Sequence, residues 1–150
     1  MRSSRWSARS RKEPTLKRID ERTIVAGQIH PEEVAALGAV GVTMIVNNRP
    51  DGEEPGQPPA AEIEAAALKA GIAYRDIPVP PGGLSRGLVD AMAQALDEAP
   101  GTVLAFCRSG TRSTYLWALA RSQQGAAGDE LIERAAAAGY DLSPLARFFR

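Results

Sequence analysis

The only cysteine of the chain stands between a strand-like run and a helix-like run. Apolar Val103–Phe106 precedes Cys107, and a glycine-containing loop and then the first turn of a helix follow it. A thiol in this place faces the free N–H groups and the partial positive charge of a helix N-terminus. Arg108 and Arg112 add positive charge nearby. Such surroundings favour the thiolate, so we predict that Cys107 is an accessible nucleophile rather than a buried structural cysteine.

The loop after the cysteine has the residue types of an anion-binding site. Gly110 allows successive N–H groups to turn inward. Arg112 can hold an oxyanion through two parallel hydrogen bonds, which a lysine cannot reproduce. The hydroxyl group of Thr111 or Ser113 can donate to the sulfur. Besides the predicted catalytic residues Cys107 and Arg112, the predicted substrate-binding residues of this loop are Arg108, Ser109, Gly110, Thr111 and Ser113.

Short strand-like runs alternate with helix-like runs along the chain. The predicted strands are Leu16–Ile19, Thr23–Ala26, Met44–Asn47, Ala73–Val79 and Val103–Phe106, and the helices between and after them lie near residues 31–40, 60–70, 85–99, 111–122 and 129–138, with a short segment near 143–149. This alternation predicts an α/β fold with a largely parallel sheet. Ligands of such sheets bind at the carboxyl ends of the strands, where Cys107 and the loop after Asn47 both lie.

Two local patterns add detail to this prediction. Pro31 and the acids that follow it open a helix, in which Val34, Leu37 and Val40 are predicted to face inward. The prolines at 78, 80 and 81 indicate that the strand Ala73–Val79 lies near an edge of the sheet, because proline cannot donate to a ladder.

The length and composition favour one intracellular domain. A chain of 150 residues suits a single domain, predicted here over residues 15–150. One cysteine excludes an internal disulfide framework, which favours a reducing compartment and a cytoplasmic location. No stretch approaches about 18 uninterrupted apolar residues, so no membrane span is expected.

The formal net charge of zero conceals a basic N-terminal segment. Residues 1–12 contain five basic side chains and no acid, which leaves thirteen basic and eighteen acidic side chains in the rest of the chain. Because acidic side chains outnumber basic ones in this part of the chain, we predict no nucleic-acid partner. We predict that residues 1–14 form a basic, disordered tail. Their composition also resembles that of an organelle transit peptide, and an overlong gene start is a third interpretation.

Two motifs together resemble a bacterial family of small phosphatase-like domains. These are Cys-Arg-Ser-Gly-Thr-Arg-Ser at 107–113 and Ile-Val-Asn-Asn-Arg-Pro-Asp-Gly-Glu-Glu-Pro-Gly-Gln-Pro at 45–58. In order and spacing they are similar to the beta-lactamase hydrolase-like protein phosphatase-like domain, over roughly residues 15–143. The resemblance implies the three-layer fold of protein tyrosine and dual-specificity phosphatases, a short, mostly parallel central sheet flanked by helices. It also implies Cys107 as nucleophile and Arg112 as anion clamp.

The resemblance further implies that the strand ending at Asn47 lies beside the strand ending at Cys107. The rim of the same pocket would then carry Asn47, Asn48 and Arg49 as substrate-binding residues and Asp51 as a catalytic one. Related phosphatases carry a proton-donating acid in a loop that corresponds to residues 80–87, which here contain no carboxylate. Asp51 is the best substitute, with Glu53 or Glu54 behind it, although Asp51 and Gly52 are also a turn-forming pair.

The loop length leaves more than one function open. Tyrosine phosphatases of this type usually show His-Cys followed by five residues and Arg, whereas this chain has Phe106 and only four intervening residues. The pattern Cys-x-x-Gly-x-Arg-Ser looks equally like the persulfide loop of rhodanese-type sulfurtransferases, which need no strong acid. We therefore predict a cysteine-dependent hydrolase of phosphate esters. The alternatives are a sulfurtransferase that works through a Cys107 persulfide and a non-catalytic anion-binding or thiol-redox module.

The implied partner is a small anionic substrate, either a phosphate ester or a sulfane-sulfur donor. One histidine and one cysteine provide no zinc cluster, and no metal or other cofactor is predicted.

Overall fold

Five strands form the central sheet of the computed structural model, which describes residues 15–149. They are β1 (Leu16–Arg18), β2 (Thr23–Ala26), β3 (Val42–Asn47), β4 (Ala73–Asp76) and β5 (Thr102–Phe106). Their order in the sheet is β1-β2-β5-β3-β4, with β1 antiparallel to β2 and the other neighbouring pairs parallel. The predicted α/β class with a mostly parallel sheet is confirmed. The predicted tail 1–14 lies outside the described residues.

Within residues 15–149, five α-helices surround the sheet. They are α1 (Val34–Ala39), α2 (Ala60–Lys69), α3 (Arg86–Glu98), α4 (Thr111–Gln123) and α5 (Gly128–Ala137), and two 3₁₀ helices cover Pro31–Glu33 and Ser143–Phe148. Ser85 caps the N-terminus of α3, because its Oγ accepts a hydrogen bond of 3.3 Å from the Leu88 N–H. Between residues 15 and 149, no helix is long and apolar enough to cross a membrane.

Alternation along the strands gives the domain two cores and three layers. In β5, Val103 and Ala105 face the core that the sheet shares with α3, α4 and α5, while Leu104 and Phe106 face the core shared with α1 and α2. Both faces are covered, which is why the parallel strands read as continuous apolar runs. The loop after β5 therefore leaves the sheet from a strand whose last four residues are buried.

Two details of the sequence prediction change. Val40 does not face the core, because α1 ends at Ala39 and the side chain of Val40 is 71% exposed. The fourth strand ends at Asp76 instead of Val79, although the N–H groups of Ile77 and Val79 still donate to the carbonyls of Asn47 and Asn48 at 2.9 Å. Its predicted place at the edge of the sheet is confirmed.

The register of β3 and β5 places the two motif loops side by side. Asn47 pairs with Phe106 at the carboxyl ends of these parallel strands. The Asn48 N–H then donates to the Phe106 carbonyl at 2.8 Å, so contact continues beyond the ladder. The adjacency expected for the strands that end at Asn47 and before Cys107 is confirmed, and both loops open on one edge of the sheet.

Candidate active site

The loop after β5 folds around the sulfur of Cys107. The Cys107 N–H donates to the Ala26 carbonyl at 3.2 Å, and the Gly110 N–H donates to Cys107 Sγ at 3.1 Å. Gly110 has φ +94° and immediately precedes α4, so a residue in the left-handed region turns an amide of the helix start toward the sulfur. Only 1% of Cys107 is exposed, so the accessible sulfur expected from sequence is instead enclosed in this arrangement.

Arg112 lies in the first turn of α4 and binds a carboxylate of the other motif loop. Its Nη1 and Nη2 donate to Glu53 Oε2 and Oε1, both at 2.8 Å, and Nη1 also donates to the Val79 carbonyl at 3.0 Å. The hydrogen bonds with Glu53 raise the pKa of Arg112 against the opposing effect of burial, and the nearby Cys107 adds to the rise. The guanidinium therefore lies close to the sulfur, and its role as an anion clamp stays a prediction.

Glu53 is held between two arginines. Besides its pair with Arg112, Oε1 accepts a hydrogen bond of 3.0 Å from Arg49 Nε. The Arg112 hydrogen bonds hold the pKa of Glu53 at about 2, below its ordinary value of 4.5; partial burial opposes them, and Arg49 adds a smaller lowering effect. Arg49 is itself buried. Its Nη1 donates to Gln28 Oε1 at 2.9 Å, and its Nη2 donates to Glu54 Oε1 at 2.7 Å.

The two asparagines of the motif after β3 hold backbone in place. Asn47 Oδ1 accepts from the Arg49 N–H at 2.9 Å, and its Nδ2 donates to the Tyr74 hydroxyl at 3.0 Å. Asn48 Nδ2 donates to the Ile77 carbonyl at 2.9 Å, and its Oδ1 accepts from Ser113 Oγ at 2.8 Å. The Ser113 hydroxyl thus donates to Asn48 rather than to the sulfur, where the sequence placed it. Substrate binding by these residues stays a prediction.

The remaining predicted site residues lie at the surface. The Arg108 guanidinium is 3.6 Å from Glu54 Oε1 and points largely into solvent. The hydroxyls of Ser109 and Thr111 are 3.3 Å apart and bind each other. Asp51 is exposed, and its Oδ1 accepts a hydrogen bond of 2.8 Å from the N–H of Ala60, the first residue of α2. The role of Asp51 as a general acid stays a prediction.

Three residues that sequence reasoning missed also shape the loop. A Cβ on Gly27 would stand 3.0 Å from the Arg108 carbonyl, and the Gln28 N–H donates to that carbonyl at 3.3 Å. The Tyr140 hydroxyl donates to the Ser109 carbonyl at 3.0 Å. Of the three, only Gly27 carried a signal in the sequence, because a glycine directly after a strand indicates a close approach of another backbone segment. Within residues 15–149, no three His, Cys, Asp or Glu side chains are placed to hold a metal ion.

The fold is that of protein tyrosine and dual-specificity phosphatases. One solved structure with this fold is a cysteine-to-serine variant of TpbA from P. aeruginosa in complex with phosphotyrosine. It superimposes with a TM-score of 0.63 at 18% identity, over 94% of this chain and 90% of that chain. An identity this low shows the shared fold alone.

The chain belongs to the family of the beta-lactamase hydrolase-like protein, phosphatase-like domain, whose model matches residues 15–127. The beta-lactamase hydrolase-like protein of Xylella fastidiosa is 38% identical over 125 residues, which cover 83% of this chain and 29% of the relative. The chain thus spans less than a third of that relative's length. A candidate phosphatase of Neisseria meningitidis gives a TM-score of 0.77 at 31% identity, over 91% of this chain and 96% of that chain. These relatives support a phosphatase-like hydrolase.

Proposed function

We propose that the domain hydrolyses phosphate monoesters through Cys107. The observation that carries the proposal is the hydrogen bond of 3.1 Å that the Gly110 N–H donates to Cys107 Sγ. Gly110 stands at the start of the helix that carries Arg112, and the fold is that of phosphatases. The amide and the helix N-terminus stabilise negative charge on the sulfur. The guanidinium of Arg112 supplies the parallel donors that bind two oxygens of a phosphoryl group.

The reaction proceeds in two displacements. Cys107 Sγ attacks the phosphorus, so that an S–P bond forms while the bond from phosphorus to the ester oxygen breaks and its electron pair goes to the leaving oxygen. Water then attacks the phosphorus, the S–P bond breaks, and inorganic phosphate leaves with the thiolate restored. Arg112 holds the charge that develops on the phosphoryl oxygens in both steps.

The proton for the leaving oxygen needs a separate donor. Glu53 is poorly suited, because with a pKa of about 2 it is ionised at neutral pH. Asp51 therefore stays the proposed acid, and its hydrogen bond with Ala60 does not prevent the other carboxylate oxygen from donating. A leaving group as acidic as p-nitrophenol needs no such help, which makes its ester a test of the sulfur and the clamp alone.

Substrate binding at Arg112 requires Glu53 to give way. The carboxylate occupies both Nη atoms of Arg112, which are the donors that a phosphoryl group needs. Glu53 retains a partner when it leaves, because Arg49 Nε binds the same Oε1 and Arg49 is fixed by burial. Glu53 thus acts as an internal competitor for the phosphoryl group at Arg112.

The sulfurtransferase alternative rests on the four-residue spacing from Cys107 to Arg112 and gains no support from the compared proteins. One pair of assays separates the two chemistries. Purified protein is incubated with p-nitrophenyl phosphate, or with thiosulfate and cyanide, and its intact mass is then measured. We expect p-nitrophenol release with wild type and none with Cys107→Ser, which should keep the fold. A mass gain of one sulfur atom without ester hydrolysis would replace the phosphatase proposal by sulfur transfer.

Arg112→Lys tests the clamp in the same assay. Lysine keeps the positive charge but loses the planar pair of donors. We therefore expect turnover to fall clearly, while the unfolding free energy changes little. Unchanged affinity for inorganic phosphate in this variant would contradict the clamp role.

A further inference from the structure

Tyr140 reaches the active-site loop from a part of the chain beyond the family match. The match ends at residue 127, whereas Tyr140 follows the end of α5, where its N–H donates to the Ala135 carbonyl at 2.8 Å. From there the half-buried side chain returns to the loop, and its hydroxyl donates to the Ser109 carbonyl at 3.0 Å.

The carbonyl that Tyr140 binds and the N–H that binds the sulfur belong to one peptide group. Ser109 O and Gly110 N are the two ends of the 109–110 peptide, which is planar, so its C=O and N–H point in opposite directions. Tyr140 binds the carbonyl end at 3.0 Å, and Cys107 Sγ accepts from the N–H end at 3.1 Å. Fixing the carbonyl therefore aims the N–H at the sulfur, and a hydrogen bond to the carbonyl also strengthens the N–H as a donor.

Two further observations place Tyr140 against this peptide. A Cβ on residue 110 would overlap the Tyr140 hydroxyl, so the contact depends on Gly110 having no side chain. Burial raises the pKa of Tyr140, and the proximity of Cys107 adds to the rise.

We propose that Tyr140 is a positioning residue for Cys107, which acts through the 109–110 peptide to stabilise the thiolate. The proposal rests on the proposed function for the role of the sulfur as nucleophile. It does not make Tyr140 a catalytic residue, because the hydroxyl is committed to the Ser109 carbonyl. The functional domain then extends past residue 127 to include the segment that carries Tyr140.

Tyr140→Phe keeps the ring and its packing and removes only the hydroxyl. Because Cys107 is the only cysteine, the ultraviolet absorbance of thiolate reports on it alone once the titration of the matching Cys107→Ser protein, which contains the same tyrosines, is subtracted, whether or not a reagent can reach the sulfur. We expect the thiolate titration of the variant to move to higher pH, with about fivefold less thiolate at a fixed pH below the midpoint, the size of one lost hydrogen bond. The kcat for p-nitrophenyl phosphate should fall by a similar factor while KM stays unchanged.

Tyr115→Phe is the matched control. Tyr115 lies on α4 and packs against the core, and we expect its variant to titrate and turn over like wild type. An unchanged thiolate titration in Tyr140→Phe overturns the positioning role, even if both proteins hydrolyse the ester. If the wild type hydrolyses no ester and the titration of Tyr140→Phe is still shifted, the positioning role is supported and the phosphatase proposal is removed instead.

Discussion

The side-chain oxygen of Asn48 accepts a hydrogen bond of 2.8 Å from the hydroxyl of Ser113, and both residues are fully buried. Asn48 follows β3, and Ser113 lies in the first turn of α4, so this bond joins the two motif segments. The Asn48 carbonyl also accepts from the Val79 N–H at 2.9 Å, and the Val79 carbonyl accepts from Arg112 Nη1 at 3.0 Å. The first turn of α4, which carries Arg112, is therefore held by the loops after β3 and β4.

Ser113→Ala should destabilise the domain. The substitution leaves Asn48 Oδ1 buried without its donor, and a lost partner of this kind costs about 1–3 kcal/mol of unfolding free energy. Urea denaturation measures the change. Ser109→Ala is the control, since that hydroxyl is exposed and we expect a change within about 0.5 kcal/mol. A loss of turnover in Ser113→Ala at unchanged stability would instead favour the contact with the sulfur that the sequence predicted.

The parts of the fold that sequence patterns predict are the local ones. The alternation of apolar runs and the positions of the prolines placed five strands and the helices, because such patterns depend on residues a few positions apart. The edge position of β4 followed from its prolines in the same way. The prediction that Val40 faces inward was wrong. The helical spacing of apolar residues continues to Val40 in the sequence, but the helix ends one residue earlier, at Ala39, and the backbone turns at Gly41, where φ is +103°.

The site was predictable only where its residues are contiguous. Gly110 and Arg112 follow Cys107 within five positions, so their closeness to the sulfur could be predicted from one loop. The carboxylate that accepts hydrogen bonds from Arg112 belongs to Glu53, and the hydroxyl that donates to the Ser109 carbonyl belongs to Tyr140. Both partners are distant in sequence from the loop that they contact. Such pairs depend on how the strands and helices are arranged in space, and no spacing pattern encodes them.

Glu53→Gln should tighten the binding of inorganic phosphate. Removing the carboxylate charge weakens the internal competitor for Arg112, and the loss of a charge-assisted pair corresponds to an affinity gain of about tenfold. Calorimetric titration in a Cys107→Ser background measures it without covalent chemistry. Glu64→Gln removes one charge from the exposed surface of α2 and is the matched control. Weaker binding in Glu53→Gln would mean that Glu53 orients Arg112 for the substrate and does not compete with it.

The contribution of Glu53 to stability should depend on pH. Its folded-state pKa of about 2 lies below the ordinary 4.5, so the ionised form is favoured by folding. The stabilisation is therefore fully present above about pH 4.5 and is lost as the pH falls toward 2. The difference in unfolding free energy between wild type and Glu53→Gln should shrink over that range. A difference that stays constant down to pH 2.5 would show that the ion pair with Arg112 does not stabilise the fold.

Asp51 can be tested separately as a helix cap and as a proton donor. Its Oδ1 accepts the Ala60 N–H, so Asp51→Ala should lower the unfolding free energy by about 1 kcal/mol, whereas Asp51→Asn keeps an acceptor and most of that stability. Asparagine cannot donate a proton as an acid does. If Asp51 protonates the leaving oxygen, Asp51→Asn should lose about 10²–10⁴ in kcat for phenyl phosphate and far less for p-nitrophenyl phosphate, whose leaving group needs no proton.

The comparison of these two esters in one stable variant separates the roles, because a folding defect would lower both rates alike. Equal rates of Asp51→Asn and wild type on phenyl phosphate would remove Asp51 from proton transfer and leave it as a cap of α2. The wild-type rate should then fall steeply from p-nitrophenyl phosphate to phenyl phosphate, since the leaving phenolate would depart without a donor. The site would in that case act only on esters of acidic alcohols and phenols.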